Sequence, residues 1–157
     1  TYQLWWNGTR GVVKMLTKHH SPIRTVLVDG SPECLVRLEK WLGTLSDIAI
    51  VGKANSGVDA LEQCRLLRPD LVLMDVALPC LNGYEATARI KEDGHCPMVI
   101  LMSLFHMDES YEVNSYSKAD VVLNKDVLYD ELIPTVTRLF PGRAGISEER
   151  SFNDSMV

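Results

Sequence analysis

The stretch PDLVLMDVALPCLNG, Pro69 to Gly83, joins an apolar run to an acid and then to a turn. Leu71, Val72, Leu73 and Met74 have the length and continuity of a strand buried on both faces, and Asp75 ends it. Leu78-Pro79 and Gly83 mark a shaped loop before the next periodic segment. Desolvating a carboxylate at the end of a buried strand costs free energy and adds nothing to packing. Asp75 is therefore either a strand-end residue that reaches water or a group held at the C-terminal edge of a parallel sheet to do chemistry.

The pattern repeats on both sides of this stretch. IRTVLVD (23–29), DIAIVGKA (47–54), PMVILMS (97–103) and ADVVLNK (119–125) read as four further strands. Between them lie helical segments with their own start and stop signals. GSPECLVRLEKWLG (30–43) has Ser31 as N-cap, Pro32 at the first helical position and Gly43 as stop, with Leu35, Leu38, Trp41 and Leu42 on one face. NSGVDALEQCRLLRP (55–69) turns Ala60, Leu61, Cys64 and Leu67 inward and ends at Pro69. YEATARIKEDG (84–94) is a third helix, MDESYEVNSYS (107–117) a weak fourth, and LYDELIPTVTRLF (128–140) a fifth, which Pro134 kinks unless it sits in the first turns. Five strands alternating with five helices predict an α/β chain, a three-layer α/β/α domain over residues 23–140. Residues 1–22 read as an N-terminal extension, either a native arm or a stretch added for expression, and residues 141–157 as a polar C-terminal tail too short for a helix-turn-helix effector.

Charge and cysteines narrow the class. Net charge is −5, yet residues 1–28 carry four basic groups (Arg10, Lys14, Lys18, Arg24) and no acid. The acidic body opposes direct nucleic-acid binding by this chain. Cys34, Cys64, Cys80 and Cys96 show no metal-ligand spacing and read as reduced thiols, two of them on apolar helix faces. No apolar stretch approaches the ~18 residues of a membrane span, and no convincing secretory signal opens the chain, so a cytoplasmic location and no membrane contact are expected.

Ligands of open parallel sheets bind outside the carboxyl ends of the strands. Those ends are Asp29, Asp75, Ser103 and Lys125 for the first, third, fourth and fifth strands. Any one alone reads as a solvated turn residue. Two acids, a hydroxyl and an amine at four corresponding ends form a constellation.

VLVDGSPE, PDLVLMDVALPCLNGYEAT, PMVILMS and ADVVLNKD together resemble the receiver domain of two-component response regulators, a CheY-like domain, and the wording is similar to receivers of LuxR/NarL-type regulators. Order and spacing agree, with 50 residues from Asp75 to Lys125 and 22 from Ser103 to Lys125. The resemblance implies a flavodoxin-like, doubly wound sheet of strand order 2-1-3-4-5. It implies a signalling phosphoacceptor rather than an enzyme, in which Asp75 receives a phosphoryl group from a histidine kinase or phosphotransfer protein. Lys125 and Ser103 would contact that group. Mg²⁺ would be held by Asp29, Asp75 and the backbone carbonyl of Ala77. Output would pass to a downstream protein, or to a second copy, through the face made by the fourth helix, fifth strand and fifth helix, where Tyr111, Tyr116, Val121 and Tyr129 are expected.

Three positions depart from the family. Gly30 stands where a second acid is usual, which predicts weak Mg²⁺ binding. Leu104 follows Ser103 where a small residue is usual, and its bulk is expected over the acceptor. Val122 stands where the family's switching aromatic is usual. An alternative reading is thus a pseudo-receiver, a phosphorylation-independent interaction module; retention of Asp75, Ser103 and Lys125 favours the phosphoacceptor. A flavin-binding protein of the same fold is disfavoured, because DGSPE (29–33) places an acid where a phosphate-cradling loop is needed.

Overall fold

The computed structural model describes residues 21–104 and 118–143. Strand β1 (Ile23–Val28) leads through α1 (Pro32–Leu42) to β2 (Ile48–Ala54), then α2 (Gly57–Leu67), β3 (Leu71–Asp75), α3 (Gly83–Glu92) and β4 (Met98–Ser103). β5 (Val121–Asn124) follows, with a short 3₁₀ turn at Lys125–Val127 and α4 (Leu128–Leu139), the fifth helix of the sequence pattern. The weak fourth helix expected at 107–117, with Tyr111 and Tyr116, lies outside the described residues. The five strands form one parallel sheet in the order β2-β1-β3-β4-β5.

Alternation along the central strands divides the core in two. Leu71 and Leu73 of β3 and Ile100 and Met102 of β4 face Leu38 and Leu42 of α1 and Leu132 and Val136 of α4. Val72, Met74, Val99 and Leu101 face Ala60 and Cys64 of α2 and Ala86 and Ile90 of α3. Such strands must be apolar at every position, and each fully buried large aliphatic side chain stabilises the fold by about 1.5–3 kcal/mol. Burial also pushes the Cys64 thiol up to about 12, so it packs as a neutral core group. Cys34 is only half-buried and takes a 3.6 Å contact from the Arg37 guanidinium, so it does not join Cys64 in the core as expected.

The helix signals act as read, with physical detail added. Ser31 Oγ accepts from the Cys34 N–H at 3.4 Å and caps α1. Ser56 Oγ caps α2 through the Asp59 N–H at 3.1 Å, and Asn82 Oδ1 caps α3 through the Glu85 N–H at 2.9 Å. Pro134 sits inside α4, not in its first turn, and withholds a hydrogen bond from the Asp130 carbonyl; both residues are exposed, so water can satisfy that carbonyl.

Of the expected interaction residues, Val121 and Tyr129 are among those described. Val121 packs inward with the α1–α4 core cluster, and its neighbour Val122 packs into the opposite one. Tyr129 stands 4.5 Å, ring to ring, from Trp41 of α1. No described helix is long and apolar enough to cross a membrane.

Candidate functional site

Strand register brings the chosen residues to one level. Val28 pairs with Met74, Asp75 with Met102 and Ser103 with Asn124, so Asp29, Asp75, Ser103 and Lys125 all stand at the carboxyl edge. Three of them are in direct contact. Lys125 Nζ lies 2.8 Å from Asp29 Oδ2 and 3.1 Å from Asp75 Oδ2. Asp29 is 2% exposed and Asp75 8%, so one ammonium is shared by two acids that water barely reaches. Ser103 is buried at the end of β4.

Each acid also organises the turn behind it. Asp29 Oδ1 accepts from the Ser31 N–H at 2.9 Å, and Asp75 Oδ1 from the Ala77 N–H at 3.3 Å. Both are carboxylates bonding their own backbone two residues on, which orients the side chain and shapes the loop. The role of the Ser31 amide was not singled out from sequence, although Asp-Gly-Ser is the composition of such a turn. Beyond Asp75 the loop closes on itself, with the Gly83 N–H donating to the Val76 carbonyl at 2.9 Å and Leu81 to Pro79 at 2.7 Å. Beside the acids lies a further cavity of about 80 Å³, whose walls include Cys34, Arg37, Met102 and Tyr129 together with Asp29 and Lys125.

Burial works against the charge of Lys125, but hydrogen bonds and Coulomb attraction from Asp29 and Asp75 outweigh it and raise its pKa. A raised lysine pKa adds stability that is complete below the unfolded value of about 10.4 and is lost as pH rises through the folded one. The difference in unfolding free energy between wild type and Lys125→Met should therefore stay level from about pH 6 to 9 and shrink only above about 10.4. Urea unfolding across that range checks this; a difference already shrinking below pH 9 would contradict the raised pKa.

Two departures take on geometry. Leu104 is 63% exposed, so most of its bulk lies in solvent. A Cβ built on Gly30 would meet Pro79 Cδ at 3.4 Å, the Ala77 carbonyl oxygen at 3.8 Å and the Asn55 carbonyl oxygen at 4.0 Å. These are ordinary contacts, so a side chain at position 30 fits and begins next to the carbonyl expected to bind metal.

The donor set suits a hard cation. Two carboxylates and the Ala77 carbonyl would supply oxygen ligands, and two acids against one lysine leave a net charge of −1. Among the described residues no three His, Cys, Asp or Glu side chains cluster closely enough to hold a metal. The set fits Mg²⁺ with about half of its octahedral shell left to water.

A family model described as the response regulator receiver domain matches residues 25–137. The chain belongs to the response regulator receiver family. Over 91 residues this receiver is 37% identical to the response regulator protein VraR of Staphylococcus saprophyticus, covering 57% of this chain and 44% of VraR. Over 130 residues it is 25% identical to the nitrate/nitrite response regulator protein NarL of Escherichia coli, covering 83% of this chain and 60% of NarL. The receiver thus spans less than two thirds of either relative. The signal receiver domain of the putative response regulator NarL from Mycobacterium tuberculosis superposes with a TM-score of 0.70 at 24% identity, over 76% of this chain and 96% of that one. At that identity the likeness speaks for the fold, and the strand order and LuxR/NarL-type resemblance read from the sequence hold.

Proposed function

We propose that this receiver accepts a phosphoryl group on Asp75 from a histidine kinase or phosphotransfer protein, and that it acts as a signalling domain with no enzymatic turnover beyond its own phosphorylation and dephosphorylation. The observation that carries this is the Lys125 ammonium bonded to both Asp29 and Asp75 at the carboxyl edge of the sheet. A carboxylate oxygen of Asp75 forms the new bond to phosphorus as the P–N bond of a phosphohistidine breaks, its electron pair leaving with the imidazole. Such transfers depend on positioning and charge neutralisation more than on acid–base help. Lys125 is placed to shift from the carboxylates to the incoming phosphoryl oxygens as a point charge. Ser103 is the hydroxyl donor to that group, at the end of the neighbouring strand. Asp29, Asp75 and the Ala77 carbonyl would hold Mg²⁺, which when bound supplies further neutralisation of phosphoryl charge.

The receiver unit is residues 23–140, flanked by the extension 1–22 and the tail 141–157. Its setting is cytoplasmic. Output passes to a downstream protein or a second copy through the face of the predicted fourth helix, β5 and α4, without direct nucleic-acid or membrane contact by this chain. A small-molecule phosphodonor with Mg²⁺ should add one acid-labile phosphoryl group, and chelation of the metal should prevent it. Absence of labelling under saturating donor and metal would instead support the pseudo-receiver, which the missing acid at Gly30 favours.

Gly30→Asp tests that missing acid. Its Cβ fits beside the Ala77 carbonyl, so a carboxylate there adds a charged oxygen to the metal site. Mg²⁺ should bind more tightly by about 1–3 kcal/mol, roughly 5- to 150-fold. Equal Mg²⁺ titrations for wild type and variant would show that another group, with Glu33 the first to test, already serves.

A further inference from the structure

At the sheet edge opposite Asp75, between the C-terminal ends of α2 and α3, lies a cavity of about 240 Å³. Leu61, Cys64 and Ile90 give it an apolar floor, and Arg65, Arg68 and His95 lie on its rim. Arg65 is engaged by Asp93 at 2.9 Å, and His95 Nε2 stands 2.6 Å from the Pro69 carbonyl. The Arg68 guanidinium forms no hydrogen bond among the described residues. Arg68 also occupies a left-handed position, φ 47°, at the end of α2, where glycine or asparagine is the easier residue. Arg24 donates to the Arg68 carbonyl at 3.1 Å, and Arg65 and Arg68 both act on Asp93, so two rim arginines share one aspartate. This surface suits an acidic segment that also carries an apolar side chain.

The chain itself supplies one. Arg143 is fastened to the same sheet edge, donating to Asp70 Oδ2 at 3.1 Å and to the carbonyls of Ser21 and Pro22 at 3.4 Å each. Residues 144–157, AGISEERSFNDSMV, follow with three acids, one arginine and Phe152. Asp70 is two residues beyond Arg68, and an Arg–Asp pair spans at most about 12 Å between Cα atoms, so Arg143 starts within roughly 20 Å of Arg68. Extended chain reaches about 17 Å at Glu148 and about 30 Å at Phe152. We propose that this acidic segment docks in cis on the α2–α3 cavity, with Glu148 and Glu149 on Arg65 and Arg68 and Phe152 on the apolar floor. The chain leaving the receiver is then held at the end of the sheet remote from Asp75.

Heteronuclear NOE and amide shifts of the full chain test this. In wild type at low salt, the amides of residues 148–152 should be as ordered as those of α4, and 0.5 M salt should loosen them. Glu148→Lys with Glu149→Lys should abolish that order and shift the amides of Arg65, Gly94 and His95; Arg68→Glu should abolish it too. The tail variant lies outside the packed core, so it remains informative if Arg68→Glu fails to fold. Mobile 148–152 amides in wild type, or unmoved cavity amides in the tail variant, would overturn the proposal. Order that grows with protein concentration would overturn docking in cis, by assigning the segment to a second copy.

Discussion

Asp75→Asn is expected to abolish labelling by a small phosphodonor and Mg²⁺ while leaving the fold intact. Asparagine has the shape of aspartate but presents a neutral amide, a poor nucleophile and a weaker metal ligand. Only one of the two carboxylates on Lys125 is neutralised, and the 2.8 Å pair with Asp29 persists, so the lysine keeps a partner. The loss of labelling should exceed about 100-fold, equivalent to nearly 3 kcal/mol in the barrier. Intact-mass measurement after brief incubation reads the result. An acid-labile phosphoryl group that survives in Asp75→Asn would place the acceptor elsewhere.

Gly83→Ala should cost more stability than its size suggests. A Cβ at this position would collide with the Asp75 carbonyl oxygen and lie 2.9 Å from Val76 Cα, both backbone atoms that no side-chain rotation can clear. Either the start of α3 or the end of β3 must move, and the Gly83–Val76 hydrogen bond at 2.9 Å must lengthen. We expect a loss of about 3 kcal/mol or more, which for a chain of this size lowers the melting temperature by roughly 10 °C. Because the displaced atoms belong to Asp75 and Val76, phosphodonor labelling should fall as well. Gly94→Ala is the control: its Cβ would meet nothing within 4 Å, so its effect should be near zero. Equal melting temperatures for the two variants would show that the close approach at Gly83 is relaxed at little cost.

The contrast between these glycines shows what sequence could and could not reveal. Gly83 reads as the residue that closes the loop after Asp75, but its reason is a contact with backbone laid down by another element, which no local pattern encodes. Gly43 likewise reads as the stop of α1, yet its φ is −66°, and what excludes a side chain there is the Glu39 carbonyl oxygen, which would lie 2.9 Å from a Cβ. Asp75 was legible because a parallel strand buried on both faces leaves no polar position except its end. Asp29 and Lys125 were legible as the corresponding ends of β1 and β5, and the sheet register brings them to one level. The sides taken by Val121 and Val122 were harder, because a four-residue edge strand gives too short a pattern to show which face meets α4. Cys34 was misjudged on period alone, since a position at the margin of an apolar helix face can be left half-exposed.

The most direct test of the account is an Mg²⁺ titration with and without beryllofluoride, followed on the backbone amides of Gly30, Ala77, Ser103 and Lys125. The mimic completes a phosphorylated-like site only where a carboxylate, a lysine, a hydroxyl and a bound cation converge. Saturable shifts at all four residues are predicted, with Mg²⁺ binding weak alone, tightened by the mimic, and the response lost in Asp75→Asn. Amides that stay in place at saturating Mg²⁺ and beryllofluoride would contradict phosphoacceptor function and leave this receiver as an interaction module.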